Sequence, residues 1–161
     1  MIKYKSGYKY VLAETYACRI SLTGLFARTD FITLDKNGNL VIKQNYAWDG
    51  ATMFPDLEAI KRASLTHDAL CQLVRLKLLP ETVLEKIHNV FREIVQEDIQ
   101  ALQLTEDIYK YLPDILYSGL VFLGTFGKGF ENPVKTAPDV LNRATMKKEV
   151  LKQMLDFRNY I

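Results

Sequence analysis

The hydrophobic period of this chain changes once, near residue 50, and that change decides what it can fold into. Up to about residue 47, apolar side chains alternate with polar ones; from about Leu57 they recur at three- and four-residue steps. The first pattern is a strand with one buried face, the second a helix with one buried stripe. The clearest strand signal is FITLDKNGNLVIKQ, in which FITL and LVIK flank Asp35-Lys36-Asn37-Gly38-Asn39. Asn-Gly supplies the positive-φ positions of a tight hairpin. Tyr8, Tyr10 and Leu12 alternate in the same way. Strands followed by helices predict an α+β fold: an N-terminal antiparallel β-sheet over about 1–47, packed on a helical bundle over about 57–160.

At 161 residues, 48% hydrophobic and 25% charged, the chain is long enough for one domain with a real core. That domain divides into a β-rich part (1–47), a loop (48–56), a helical part (57–138) and an amphipathic C-terminal helix (139–161). It has no internal repeat. A net charge of +2 without a long basic run gives no reason to expect a nucleic-acid partner. Cys18 and Cys71 are too few for a disulfide framework and point to a reducing compartment. The start, MIKYKSGYKYVLAE, lacks the apolar run and cleavage site of a secretory signal, so the mature chain is expected to begin at Met1. The longest apolar stretch, Ile115 to Gly127, falls short of the roughly 20 residues that cross a bilayer. It reads as a buried helix rather than a transmembrane segment.

Within the helical part, Ile60, Ala63, His67, Leu70, Cys71, Val74 and Leu78 lie on one face of a first helix. Pro80 breaks it and Glu81 favours a new start. Leu84, Ile87, His88, Phe91, Ile94 and Val95 then mark the apolar face of a second helix. A short third helix is expected from near Thr105 to Tyr111, with a hydrophobic one restarting at Pro113. Gly124, Gly127, Gly129, Pro133 and Pro138 read as a loop, and Val140, Leu141, Ala144, Val150, Leu151, Met154 and Leu155 give the tail its amphipathic pattern. That tail either packs on the domain or serves as an arm for a partner.

Both histidines of the chain, His67 and His88, fall on these apolar faces. A buried imidazole needs partners for its ring nitrogens, and an orphaned one costs roughly 1–3 kcal/mol. If the break near Pro80 folds the helices antiparallel, the two faces meet and the histidines approach each other. Asp68 sits about 100° around the helix from His67, and Asp49 lies upstream in the acidic loop NYAWDGATMFPD. Three chemistries fit. His67 is a general base activating water, with Asp68 and Asp49 holding calcium through oxygen. Alternatively, His67, His88 and one carboxylate hold a catalytic zinc. In the third, Cys71, one turn from His67, forms a thiol site, although nothing in the sequence obviously orients the histidine for it. A core pair of mutually satisfied histidines is the bland alternative to all three. Trp48, beside Asp49, either covers the site or belongs to the core. GTFGKGF carries Lys128 but lacks the spacing and the Ser/Thr of a phosphate-binding loop.

The stretches WDGATMFP, ASLTHDAL and IHNVF resemble the motifs of a phage- and prophage-borne family, domain of unknown function 1353, over roughly Phe31 to Val95. Its pattern has an aspartate in a small-residue loop after the strands, then a His-Asp-x-Leu helix. A helix with an aspartate and a phenylalanine three residues later follows. This chain departs from it at His88, where aspartate is usual, at Met53-Phe54 before Pro55, and at Cys71, where an aromatic is common. The His-Asp helix is also distantly similar to that of small calcium-dependent secreted phospholipases. By that analogy His67 is the base, Asp68 a calcium ligand and His88 the orienting group, with Asp49 in place of the calcium loop. The stapling disulfides are absent, and a histidine at 88 is a poorer acceptor than a carboxylate. The resemblances imply a phage-associated, hydrolase-like protein acting on an ester or amide of the host envelope. It would be made in the host cytoplasm. The other expectation is a non-enzymatic tail or baseplate component of the virion, contacting other virion proteins, in which the polar cluster is structural.

Overall fold

The computed structural model describes residues 4–5, 10–48, 50 and 57–125. Asp49, the loop at 51–56, Tyr8 and the tail at 139–161 lie outside the described residues. Among the described residues, seven short strands come first: β1 (Tyr4–Lys5), β2 (Tyr10–Leu12), β3 (Tyr16–Arg19), β4 (Ala27–Arg28), β5 (Ile32–Leu34), β6 (Asn39–Ile42) and β7 (Ala47–Trp48). They form two antiparallel sheets, β1-β2-β7 and β3-β6-β5-β4. Three helices follow, α1 (Glu58–Arg75), α2 (Leu84–Ala101) and α3 (Asp107–Thr125), with a 3-10 turn at Glu81–Val83 before α2. The α+β class expected from the change of period is the class observed.

The β5–β6 hairpin forms where expected, in the register that pairs Leu34 with Leu40 and Ile32 with Ile42, all four fully buried. Its turn differs from the expected one. Only Gly38 has positive φ, +81°, while Asn37 does not. Gly38 N–H donates to the Asp35 carbonyl (3.1 Å) and Asp35 N–H to that of Asn39 (3.0 Å), the pattern of a three-residue loop ending in a glycine bulge. The Asp35 carboxylate accepts from the Asn37 and Asn39 backbone N–H groups and from the Asn39 side chain, which holds its pKa below the usual range. A Cβ on Gly38 would run into the Ile20 carbonyl oxygen.

α1 is the spine of the fold. Most of its residues from Ala59 to Val74 are buried, on more than one face, because β7 and α2 pack on different sides of it. Trp48 Nε1 donates to Ser64 Oγ (3.2 Å), and Tyr46 O–H to Gln72 Oε1 (2.8 Å). Trp48 is thus a core residue of β7, packed against Tyr10 with ring centroids 5.0 Å apart. On the other side, Arg62 holds Asp98 through Nε (2.9 and 3.1 Å) and Glu97 through Nη2 (2.7 Å). Residue 62 meets 97 and 98 while 67 meets 88, so α1 and α2 run antiparallel, as the break near Pro80 predicts.

α1 stops at Arg75, short of Leu78, which is exposed beyond the helix rather than on its buried face. Lys77 takes a left-handed conformation (φ 57°), its N–H donates to the Val74 carbonyl, and the Leu78 N–H donates to that of Leu73. These two bonds close the helix by a Schellman motif. α2 ends the same way, with Gln103 at φ 54° and N–H bonds from Gln103 to Gln100 and from Leu104 to Ile99.

Two further expectations are corrected by α3. Pro113 does not divide it: the helix is continuous, with Gly124 inside it rather than in a loop. Leu112 and Leu116 on either side of Pro113 are buried, and this packing holds the helix through a residue that forfeits one backbone hydrogen bond. Nor is the apolar stretch from Ile115 buried all round. Leu116 is in the core, but Ile115 and Phe122 are exposed. Only one face of α3 packs on α2, where Arg92 also reaches Asp114 (3.3 Å) and covers the Tyr117 ring.

Candidate functional site

The two histidines meet in the seam between α1 and α2. His67 Nε2 lies 3.1 Å from His88 Nδ1, and the rings stack with centroids 5.3 Å apart at 23°. The Phe91 ring stands edge-on to His67 at 5.7 Å and 80°. Each ring answers the other's need for a hydrogen-bond partner away from water. The seam is nearly closed: the His67 side chain is 14% exposed and His88 6%, while Asp68 at its edge is 27% exposed.

Cys71 Sγ sits 3.6 Å from His67 Nε2 and 3.8 Å from Nδ1. Being almost equidistant from both nitrogens, it faces the ring between them and lines up with neither lone pair. It is itself buried, so it lacks the access that a nucleophilic thiol needs. Asp68 Oδ1 is 3.8 Å from His67 Nδ1, an electrostatic contact too long for a hydrogen bond.

The two rings share one site and cannot both be charged at little cost. Burial disfavours charge on His67, but Cys71 and the Asp68 carboxylate outweigh it and its pKa is pushed up to about 10. Burial, with the charge on His67 added to it, pushes His88 down to about 4. The pair therefore holds a single proton beyond neutrality, on His67. His67 Nε2–H donates to His88 Nδ1, which stays a neutral acceptor. This arrangement fixes the tautomer of both rings and leaves His67 Nδ1, on the Asp68 side, as the nitrogen whose proton can move.

The sequence-derived candidates thus divide. His67, His88 and Asp68 come together, and Cys71 joins them one turn on. Asp49 lies outside the described residues. Among the described residues no three His, Cys, Asp or Glu side chains converge so as to share one ion, so any cation here needs a ligand from beyond them. Phe91 is the site residue that the candidate set lacks. Its signal was present in IHNVF, three residues after His88, which places it on the same helical face. No helix among the described residues is long and apolar enough to cross a membrane.

No family model, curated protein or solved structure matches this chain.

Proposed function

We propose that this chain is a phage-associated, hydrolase-like protein in which His67 is a general base acting on an ester or amide of the host envelope. The reading is carried by the 3.1 Å contact from His67 Nε2 to His88 Nδ1. An orienting group on one ring nitrogen, with the other turned to a carboxylate at the edge of the seam, is what proton abstraction from water requires. His88 takes the orienting place and Phe91 walls the ring. A hard cation held by Asp68 together with Asp49 suits this arrangement better than a zinc between the rings, because it leaves the hydrogen bond intact. Cys71 and then Asp68 hold the proton on His67, and a cation on the Asp68 carboxylate would remove the Asp68 share of that pull.

The small exposure of both rings favours a second reading, a tail or baseplate component of the virion in which the pair is a polar core network. Elemental mass spectrometry of the purified full chain after calcium or zinc addition, with hydrolysis of simple esters and amides measured alongside, separates the two. The hydrolase reading expects a stoichiometric ion lost in Asp68→Asn and turnover lost in His67→Ala while the fold persists. Turnover retained in His67→Ala would remove His67 from catalysis. No ion and no turnover would leave the structural reading.

A further inference from the structure

The β3-β6-β5-β4 sheet ends in two unlike edges. At one edge β4 is 2 residues long; at the other β3 runs for 4, with no proline, glycine or bulge to blunt it. The ladder to β6 uses only alternate residues of β3. Ile20 N–H donates to the Gly38 carbonyl (2.9 Å), and the register pairs Cys18 with Leu40 and Tyr16 with Ile42. The backbone groups of Tyr16, Cys18 and Ile20 are therefore the ones turned toward β6, and those of Ala17 and Arg19 point the other way, out of the open edge. Both residues are exposed, and among the described residues no backbone group pairs with theirs on that side.

Carboxylates border this edge on the helix side of the sheet. Glu93 of α2 accepts from Ser21 Oγ (2.7 Å), just past the end of β3. Glu97, one turn further along α2, is held by Arg62 Nη2 and is still 64% exposed. The Tyr16 and Cys18 side chains stand beside the same Arg62. Arg62 is shared between Glu97 and Asp98, so with Glu93 three carboxylates stand against one guanidinium and the strip is net negative. We propose that the open edge of β3 binds an extended peptide with basic residues at alternate positions, added antiparallel to β3. The peptide backbone pairs with the N–H and C=O groups of Ala17 and Arg19. Side chains of an added strand alternate in direction. Those opposite Tyr16 and Cys18 fall on the helix side, toward Glu93 and Glu97, and carry the positive charge. Those opposite Ala17 and Arg19 fall on the outer side and carry none.

Charge selects this partner over a second copy of the chain. Pairing β3 antiparallel with itself about Cys18 satisfies the same backbone groups, Ala17 of one copy against Arg19 of the other. It also brings both α2 helices to the same side of the joined sheet, with Glu93 and Glu97 of one copy toward those of the other. Like charges so placed repel. A basic strand reverses the sign of that term and an acidic one does not.

Residue-resolved amide exchange on the full chain, read by NMR with and without a short alternating lysine–valine peptide, tests this. In the free protein the Ala17 and Arg19 amides should exchange faster than those of Cys18 and Ile20, which donate to β6. The lysine–valine peptide should slow Ala17 and Arg19 about tenfold and leave Cys18 and Ile20 unchanged. An alternating glutamate–valine peptide should protect neither. Ala17→Pro removes an N–H that the β6 ladder does not use, so the melting temperature should hold while peptide protection is lost. Glu93→Gln with Glu97→Gln should weaken the lysine–valine peptide about fivefold. No protection of Ala17 and Arg19 by the lysine–valine peptide would overturn the proposal, as would equal protection by both peptides. So would slow exchange at Ala17 and Arg19 in the free protein: lost on dilution, it would make a second copy the occupant, and unchanged on dilution, it would mean that the chain itself closes the edge.

Discussion

His67 Nε2 and His88 Nδ1 face each other at 3.1 Å, twenty-one positions apart in the chain and one on each side of the α1–α2 seam. Removing one partner strands a buried polar nitrogen, whereas removing both leaves an apolar seam. His88→Leu is therefore expected to destabilise the protein by roughly 1–3 kcal/mol. The double variant His67→Leu/His88→Leu should cost clearly less than the sum of the two singles. Urea unfolding of the four proteins measures the coupling, and strictly additive losses would show that the contact contributes nothing.

The pair also sets a pH window for stability. His88, depressed to about 4, contributes stability that is present above the unfolded pKa near 6.5 and is lost as pH falls through the folded one. His67, raised to about 10, contributes stability that is complete below about 6.5 and is lost as pH rises through the folded value. Stability should thus be greatest near pH 6.5 and decline on both sides. Melting temperatures of wild type and His67→Leu/His88→Leu between pH 4 and 10 check this, the double variant giving the flatter curve. Equal pH dependence in both proteins would rule out the histidines as its source.

Lys77 and Gln103 close α1 and α2 in the left-handed conformation, which a Cβ disfavours by about 1–2 kcal/mol. Glycine removes that penalty at the cost of greater freedom in the unfolded chain. Lys77→Gly, at an exposed position, is expected to stabilise the protein by up to about 1 kcal/mol, read as a raised denaturation midpoint. A lowered midpoint would mean that the lysine side chain contributes more than its backbone costs.

Gly38 is the opposite case. It combines positive φ with an approach to the Ile20 carbonyl that leaves no room for a Cβ. Gly38→Ala should destabilise by at least about 2 kcal/mol. Asn37→Ala, whose φ is ordinary, should cost far less. Chemical denaturation of the two variants separates the roles within the dipeptide, and similar losses in both would contradict the turn geometry.

Much of this arrangement is legible in the sequence because local pattern and tertiary packing agree there. The hairpin around Gly38 and the antiparallel meeting of the two histidine faces follow from period and punctuation alone. The helix ends do not, because Lys77 and Gln103 stand where glycine would have signalled a stop. The continuity of α3 through Pro113 is likewise hidden, since it depends on Leu112 and Leu116 being buried by the rest of the fold. At the site, His67, Asp68 and His88 could be named because polar residues on apolar faces stand out. Phe91 shares the face of His88 in the sequence but reads there only as core, because an aromatic on an apolar face looks like any other core residue.

Ser64 and Gln72 receive the side chains of Trp48 and Tyr46 on either side of His67. Eight residues of helix separate them, about 12 Å. Two attachment points on one rod remove both its sliding and its rotation, so the azimuth of the His67 imidazole is set by the sheet.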